Sequence, residues 1–304
     1  MTWLVWRRQR VAFLLVVAVV LVWVVVLTSG RQAYLAAPEP TDDFIALGMT
    51  RFGPFWGFGH SFLLITPLLL GLLTGAGLFS RDVEQQTHLF VLTHGVSRRR
   101  WWTSGVLIGC GVVLIAAAVL SAVASWAFAP LDVDAGESVL SPAKFGVSGI
   151  VPLAYTLFAF ALAAAAGLLT RSALAAVVIT VVGYAAVMIV LAGYLRVDYL
   201  PPMVVRGPIG GVEVVGGLQL NTSYVDGSGA EIGLEEAFRT LRGCYETHDS
   251  RTCLAQIGIT EEQVTFQPDD RYWAFQAIES TILLLLSAAV LVVSAMRLRK
   301  DVPV

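Results

Sequence analysis

Charge is scarce in this chain. Only 14% of its 304 residues are charged, against about 25% in an ordinary soluble domain, too little polar surface to keep a soluble protein of this length in solution. Basic charge is not in excess either. The formal net charge of −2 and the pI of about 6.1 leave no global positive field to hold phosphates, which excludes nucleic-acid binding. Lysine occurs only at Lys144 and Lys300, and no G-x-x-x-x-G-K-[ST] loop is present, so the chain cannot hold ATP in the usual way. Four histidines and three cysteines form neither an H-E-x-x-H site nor a G-x-S-x-G elbow. His88 and His94 lie six residues apart without a third ligand, so no metal is expected. Disorder is excluded by the 57% of hydrophobic residues.

What is there is apolar and arranged in long runs. A spanning helix needs about 20 mostly apolar residues, because its backbone must satisfy its own hydrogen bonds in lipid. Six segments qualify: Val11–Leu27, Phe55–Phe79, Thr103–Ala129, Phe145–Leu169, Ser172–Leu195 and Trp273–Met296. Pro130 marks the expected end of the third. The fourth and fifth, joined across Thr170-Arg171-Ser172, read as a helical hairpin. The first has a longer apolar stretch than a signal peptide and no nearby small-x-small cleavage site, so it reads as a retained span. The expected fold class is an all-α polytopic membrane protein with six transmembrane helices.

The few charges orient these spans. With both termini placed in the cytoplasm, the inner segments carry Arg7, Arg8, Arg10, Arg81, Arg98, Arg99, Arg100, Arg171, Arg297, Arg299 and Lys300, a net of +8. The outer segments then carry −9. The short outer loops hold only Arg31, Arg51 and Lys144, as the positive-inside rule requires. Eighteen of the 20 basic residues are Arg, which with abundant Ala, Val and Gly suggests a GC-rich bacterial genome. Together with the charge sorting this predicts a bacterial cytoplasmic membrane protein, in which 1–195 holds five spans, 196–272 forms an extracytoplasmic subdomain, and 273–304 holds the sixth span and a cytoplasmic tail.

Residues 196–272 are too many for a structureless loop in a compact protein. Leu234, Phe238, Leu241 and Tyr245 recur at helical spacing behind Glu235 and Glu236, which predicts one or two helices. Cys244 and Cys253 lie in the same loop. A disulfide between them, suited to an oxidising compartment, is expected, with two free thiols as the alternative. Asn221-Thr222-Ser223 matches a glycosylation triplet but carries little weight, and Cys110 reads as a small packing residue. Within the spans, His60, Gln276 and Glu279 are candidates for a translocation path. Glu279 lies about seven residues, or roughly 10 Å, into the last span, where a charge is costly. The plainer expectation is that it bonds Gln276 or Arg271, or reaches the headgroups.

The loop 80–102 has the densest pattern. It reads as a short interfacial helix with Asp82 and Glu84 in its first turn, Val83, Phe90 and Val91 on one face, Gly95 as a left-handed cap and Ser97 capping the next helix. Arg98, Arg99 and Arg100 fall at headgroup level, with Trp101 and Trp102 as interface anchors. On physics alone this is a basic inner loop with an aromatic belt. In order and spacing, however, Glu84, Thr87, Leu92-Thr93 and Ser97-Arg98 resemble the loop after the second span in ABC-2 type permeases, the membrane subunits of many bacterial ABC exporters. Gln86 stands in place of that family's glycine, and His94-Gly95 in place of its Thr-Pro. The opening, with Trp3 and Trp6 beside Arg7, Arg8 and Arg10, resembles the amphipathic entry segment of actinobacterial permeases of this type. The run from Thr265 to Glu279 resembles their lead-in to the last span.

The resemblance implies a coupling helix in which Asp82, Val83, Glu84, Thr87, Phe90, Val91 and Leu92 dock on a cytoplasmic ATPase. It further implies two such ATPase subunits, with ATP and Mg bound there and no cofactor in this chain, and a second permease copy. The chain itself would be no enzyme but the membrane subunit of an exporter of hydrophobic or amphipathic cargo. The alternative is a non-transporting membrane scaffold or sensor whose outer subdomain binds a partner.

Overall fold

The computed structural model describes residues 2–36, 53–84, 97–135, 138–209, 211–212, 214, 216–233 and 258–300. Six long helices dominate: α1 (Thr2–Leu35), α2 (Gly53–Glu84), α3 (Arg98–Ala135), α4 (Val151–Thr170), α5 (Ala173–Val190) and α6 (Tyr272–Lys300). All six are long and apolar enough to cross a membrane, each coinciding with one apolar run of the sequence. They alternate in direction. The start of α1, the end of α2, the start of α3, the α4–α5 turn and the end of α6 therefore share one end, here the arginine end.

Helix α4 is the hub. Its buried face includes Ala154, Ala159, Ala161 and the run Ala163–Gly167, small residues that let neighbouring backbones approach closely. Opposite them, α2 offers Gly71 and Gly75. A Cβ at Gly71 would lie 2.5 Å from the Ala159 Cβ, and one at Gly75 2.7 Å from the Ala163 Cβ. Phe160 fills the notch at Gly109 of α3, where a Cβ would fall 2.5 Å from its ring. Helix α1 lies on the outside of α3, packing Val16 and Leu27 against Ala116, Leu120, Ala124 and Phe128.

The α4–α5 hairpin turns as its sequence requires. Arg171 adopts the left-handed conformation (φ 57°) and its N–H reaches the Gly167 carbonyl at 3.2 Å, an αL cap. The Ser172 hydroxyl then accepts from Ala175 N at 3.4 Å and starts α5. Several boundaries differ from expectation. Helix α3 continues through Pro130 to Ala135. Helix α2 continues to Glu84, so Asp82, Val83 and Glu84 extend a span and do not open a separate helix. The fourth span begins at Val151, after a one-turn helix at Pro142–Phe145.

The other end corrects the all-α expectation: the molecule is mostly helical, with a small sheet. Residues 196–272, expected to hold one or two helices, carry β1 (Met203–Pro208), β2 (Gly217–Asp226), β3 (Glu231–Gly233) and β4 (Ile259–Pro268). They form one antiparallel sheet in the order β1-β4-β2-β3. The strands hold residues that fit a pleated surface, Leu218, Leu220, Thr222 and Tyr224 on β2 and Val264 and Phe266 on β4, with a shift of the β2–β4 register between Gln219 and Asn221. A tight turn joins β2 to β3. The Asp226 carboxylate accepts from Ser228 N at 2.8 Å and Ala230 N at 2.9 Å, while Gly229 takes φ +85°. Those hydrogen bonds, that of the Ser228 hydroxyl foremost, hold the Asp226 carboxyl below its ordinary range. The predicted helix at 234–245 lies outside the described residues, as do Cys244 and Cys253.

Candidate functional site

The most unusual chemistry sits where α4, α5 and α6 meet beneath the sheet. Helix α5 widens there into a π-turn, Leu191–Leu195, followed by a 3₁₀ turn, Arg196–Asp198. Such wide turns redirect the residues that follow them, and here Arg196 points inward. It is 4% exposed and Glu279 of α6 is 0% exposed. Arg196 Nε donates to Glu279 Oε2 at 2.9 Å and Nη2 to Oε1 at 2.8 Å, the bidentate fork that suits a guanidinium and a carboxylate.

The surroundings complete the pair. Tyr155 of α4 donates its hydroxyl to Glu279 Oε1 and accepts from Arg196 Nη2 at 3.0 Å. Tyr199 donates to Oε2 at 3.3 Å. Burial, followed by the Glu279 charge, pushes the Tyr199 hydroxyl above its ordinary range, so it remains a donor. The guanidinium lies 4.3 Å from the centre of the Phe145 ring, a cation–π contact. Both carboxylate oxygens thus have two donors each, the kind of satisfaction a buried ion pair demands.

Two glutamines extend the network. Helix α4 starts without a side-chain cap of its own at Ile150. Gln276, one turn before Glu279, supplies it: Oε1 accepts from Ile150 N at 2.9 Å and Val151 N at 2.8 Å. Its Nε2 donates to Phe145 O at 3.1 Å and Ser148 O at 3.2 Å, so all four amide positions are engaged. Gln267 on β4 does the same for the end of α5. It donates to Val197 O at 3.0 Å and Leu200 O at 2.6 Å, and accepts from Arg271 at 2.9 Å. Arg271 also donates to Pro201 O at 2.6 Å.

No curated protein and no solved structure matches the chain. Residues 10–196 match a family model described as ABC-2 membrane transporter related. The chain belongs to that family. The ABC-2 match begins in α1, takes in the next four spans and ends on Arg196. Tyr155 and Arg196 thus fall within the ABC-2 segment, whereas their partner Glu279 falls beyond it.

The structure distributes the residues singled out from sequence over both ends. Gln276 and Glu279 lie one turn apart on α6, but Gln276 bonds the start of α4 and Glu279 takes Arg196 as its ion partner in place of the expected Gln276 or Arg271. His60 belongs elsewhere: it is buried on α2, its ring stacked 4.0 Å from that of Phe128. At the arginine end, Ser97 accepts from Arg100 N at 3.3 Å and caps α3. Arg99 and Arg100 are exposed, Trp101 packs edge-on against Phe79 at 4.9 Å, and Trp102 joins the same cluster. Trp6 is exposed and packs on Phe13 at 5.7 Å. Thr87, Phe90, Val91 and Leu92 lie outside the described residues. The side chains of Trp3, Asp82, Val83, Glu84 and Arg98 do too, although their backbones are helical. Among the described residues no group of three or more His, Cys, Asp or Glu could hold a metal.

Sequence reasoning missed Arg196, Tyr155, Tyr199 and Gln267. One signal was available: an acid inside a span calls for a basic partner on a neighbouring span, and Arg196 closes the adjacent one.

Proposed function

We propose that this ABC-2 family member is the permease subunit of an exporter driven by ATP hydrolysis on a separate ATPase. The observation that carries this reading is the family match across five of the six spans, joined to a chain without a phosphate-binding loop of its own. Two ATPase subunits, each with ATP and Mg, would engage the arginine end of a pair of permease chains. The coupling segment is Asp82–Leu92, with Glu84 and Phe90 as its main contacts. Its first residues, Asp82–Glu84, are the last of α2, so a push on them would be carried along that helix to Gly71 and Gly75 against α4. On this reading both termini are cytoplasmic, the sheet is extracytoplasmic, and the cargo is hydrophobic or amphipathic, matching the apolar spans.

The test is co-purification from native membranes with a Walker-A-bearing subunit, together with ATPase measurements on the complex. Association that stimulates hydrolysis and weakens in Glu84→Ala and Phe90→Ala is expected. A chain isolated without an ATPase would favour the scaffold or sensor reading. Unchanged association in both variants would remove the coupling assignment alone.

A further inference from the structure

We infer that the membrane-proximal half of β1 rests in the headgroup–acyl boundary of the bilayer and anchors the sheet to the lipid surface. The inference rests on the six spans and is independent of the ATPase reading. Strand β1 is an edge of the sheet and follows the 3₁₀ turn Arg196–Asp198 after only Tyr199–Pro202. Its first three residues are Met203, Val204 and Val205, 48%, 52% and 43% exposed. Since successive side chains of a strand point to opposite faces, apolar groups are presented on both sides of an edge that no further strand pairs among the described residues. In water such an edge invites aggregation, and proteins blunt it with charge or proline. Here Pro201 and Pro202 precede the apolar triplet and Pro208 ends the strand, but the triplet itself carries no charge.

The register shows why lipid is the fitting occupant. Met203, Val204 and Val205 pair with Phe266, Thr265 and Val264, close to where β4 runs into α6. Arg206, Gly207 and Pro208 pair with Gln263, Glu262 and Glu261, further out. Along β1 and β4 the paired residues therefore pass from apolar to acidic with distance from the spans, as the bilayer edge does from acyl chain to water, while Asp269 and Asp270 lie between β4 and α6. At about 3.3 Å per residue the apolar part covers roughly 10 Å, the depth of an interfacial insertion. Tyr194 on the π-turn and Trp273 at the start of α6 are exposed at the same end, the belt residues that mark a membrane–water interface. Arg206 comes next along the strand, held by its Nε to Gln263 Oε1 at 2.7 Å, at the level of lipid phosphates.

The experiment places the photo-crosslinker p-benzoylphenylalanine, one site at a time, in the full chain in nanodiscs. The sites are Met203, Val204, the exposed span residue Val182, and Ser228 at the outer β2–β3 turn. Adducts are identified by mass spectrometry, and size-exclusion elution of each variant checks its folding. Lipid adducts at Met203 and Val204, near the Val182 yield and several-fold above Ser228, are expected. Yields no higher than at Ser228 while Val182 reacts would overturn the inference. Adducts joining two copies of the chain would also overturn it, making β1 a protein interface.

Discussion

Removing either partner of the Arg196–Glu279 pair leaves a charge enclosed by α4, Phe145 and the tyrosines. Breaking a buried pair from one side costs about 3–5 kcal/mol, whereas replacing both partners by apolar residues of similar volume is often neutral. Glu279→Ala should therefore lower resistance to unfolding in detergent micelles by that amount. Glu279→Met combined with Arg196→Met should recover most of it. A single variant as stable as the parent would mean the carboxylate is not buried as described. Gln276 permits a finer comparison at the same level. Gln276→Leu strips both N–H groups of their cap and two carbonyls of their donor, and cap loss alone costs about 0.5–2 kcal/mol. Gln276→Glu keeps the acceptor and should fall between parent and Gln276→Leu in the same unfolding assay.

At the scale of elements, α2 and α4 approach through glycine and alanine, and only these sizes fit. Gly71→Val and Gly75→Val would drive methyl groups into the α4 backbone near Phe160 and Ala164, at a cost of about 1–3 kcal/mol or more. A Cβ at Gly111 on α3 would meet nothing within 4 Å. Gly111→Ala should therefore leave stability unchanged or raise it by up to about 1 kcal/mol through helix propensity. Thermal unfolding of the three variants checks the contrast, and equal losses in all three would remove the close-packing argument. These elements were unequally legible in the sequence. The spans declared themselves because each is a local run of apolar residues, and the Arg171–Ser172 turn because its cap is local as well. The sheet did not: β1 pairs with β4 across most of the loop, and β4 reads Ile259-Thr-Glu-Glu-Gln, polar at the positions where a buried strand would be apolar. For the same reason Glu279 stood out as a lone acid while Arg196 counted only as the first residue of the outer loop. The π-turn that brings Arg196 inward leaves no mark in the pattern.

Over the whole molecule, the arginine end and the sheet end carry opposite charge, although the total is only −2. Arg7, Arg10, Arg99, Arg100, Arg171 and Arg297 are near one end; Asp226, Glu231, Glu261, Glu262, Asp269 and Asp270 are near the other. Positive charge is retained on the cytoplasmic side during insertion, so on the proposed reading this sorting sets the orientation in advance of any partner. Single cysteines introduced in a chain whose native Cys110, Cys244 and Cys253 are replaced by serine give the test. Ser228→Cys should react with a membrane-impermeant thiol reagent in intact cells. Arg171→Cys in the α4–α5 turn should react only after the membrane is opened. The reverse pattern would place the sheet in the cytoplasm, and with it would fall the engagement of an ATPase at the arginine end. Moving the charges tests the cause. With Arg99→Glu, Arg100→Glu and Arg171→Glu combined, some chains should insert inverted, seen as a fraction of Ser228→Cys that becomes inaccessible. If orientation holds, the arginines left at that end outweigh the three that were changed, and extending the series to Arg7 and Arg10 should then invert it.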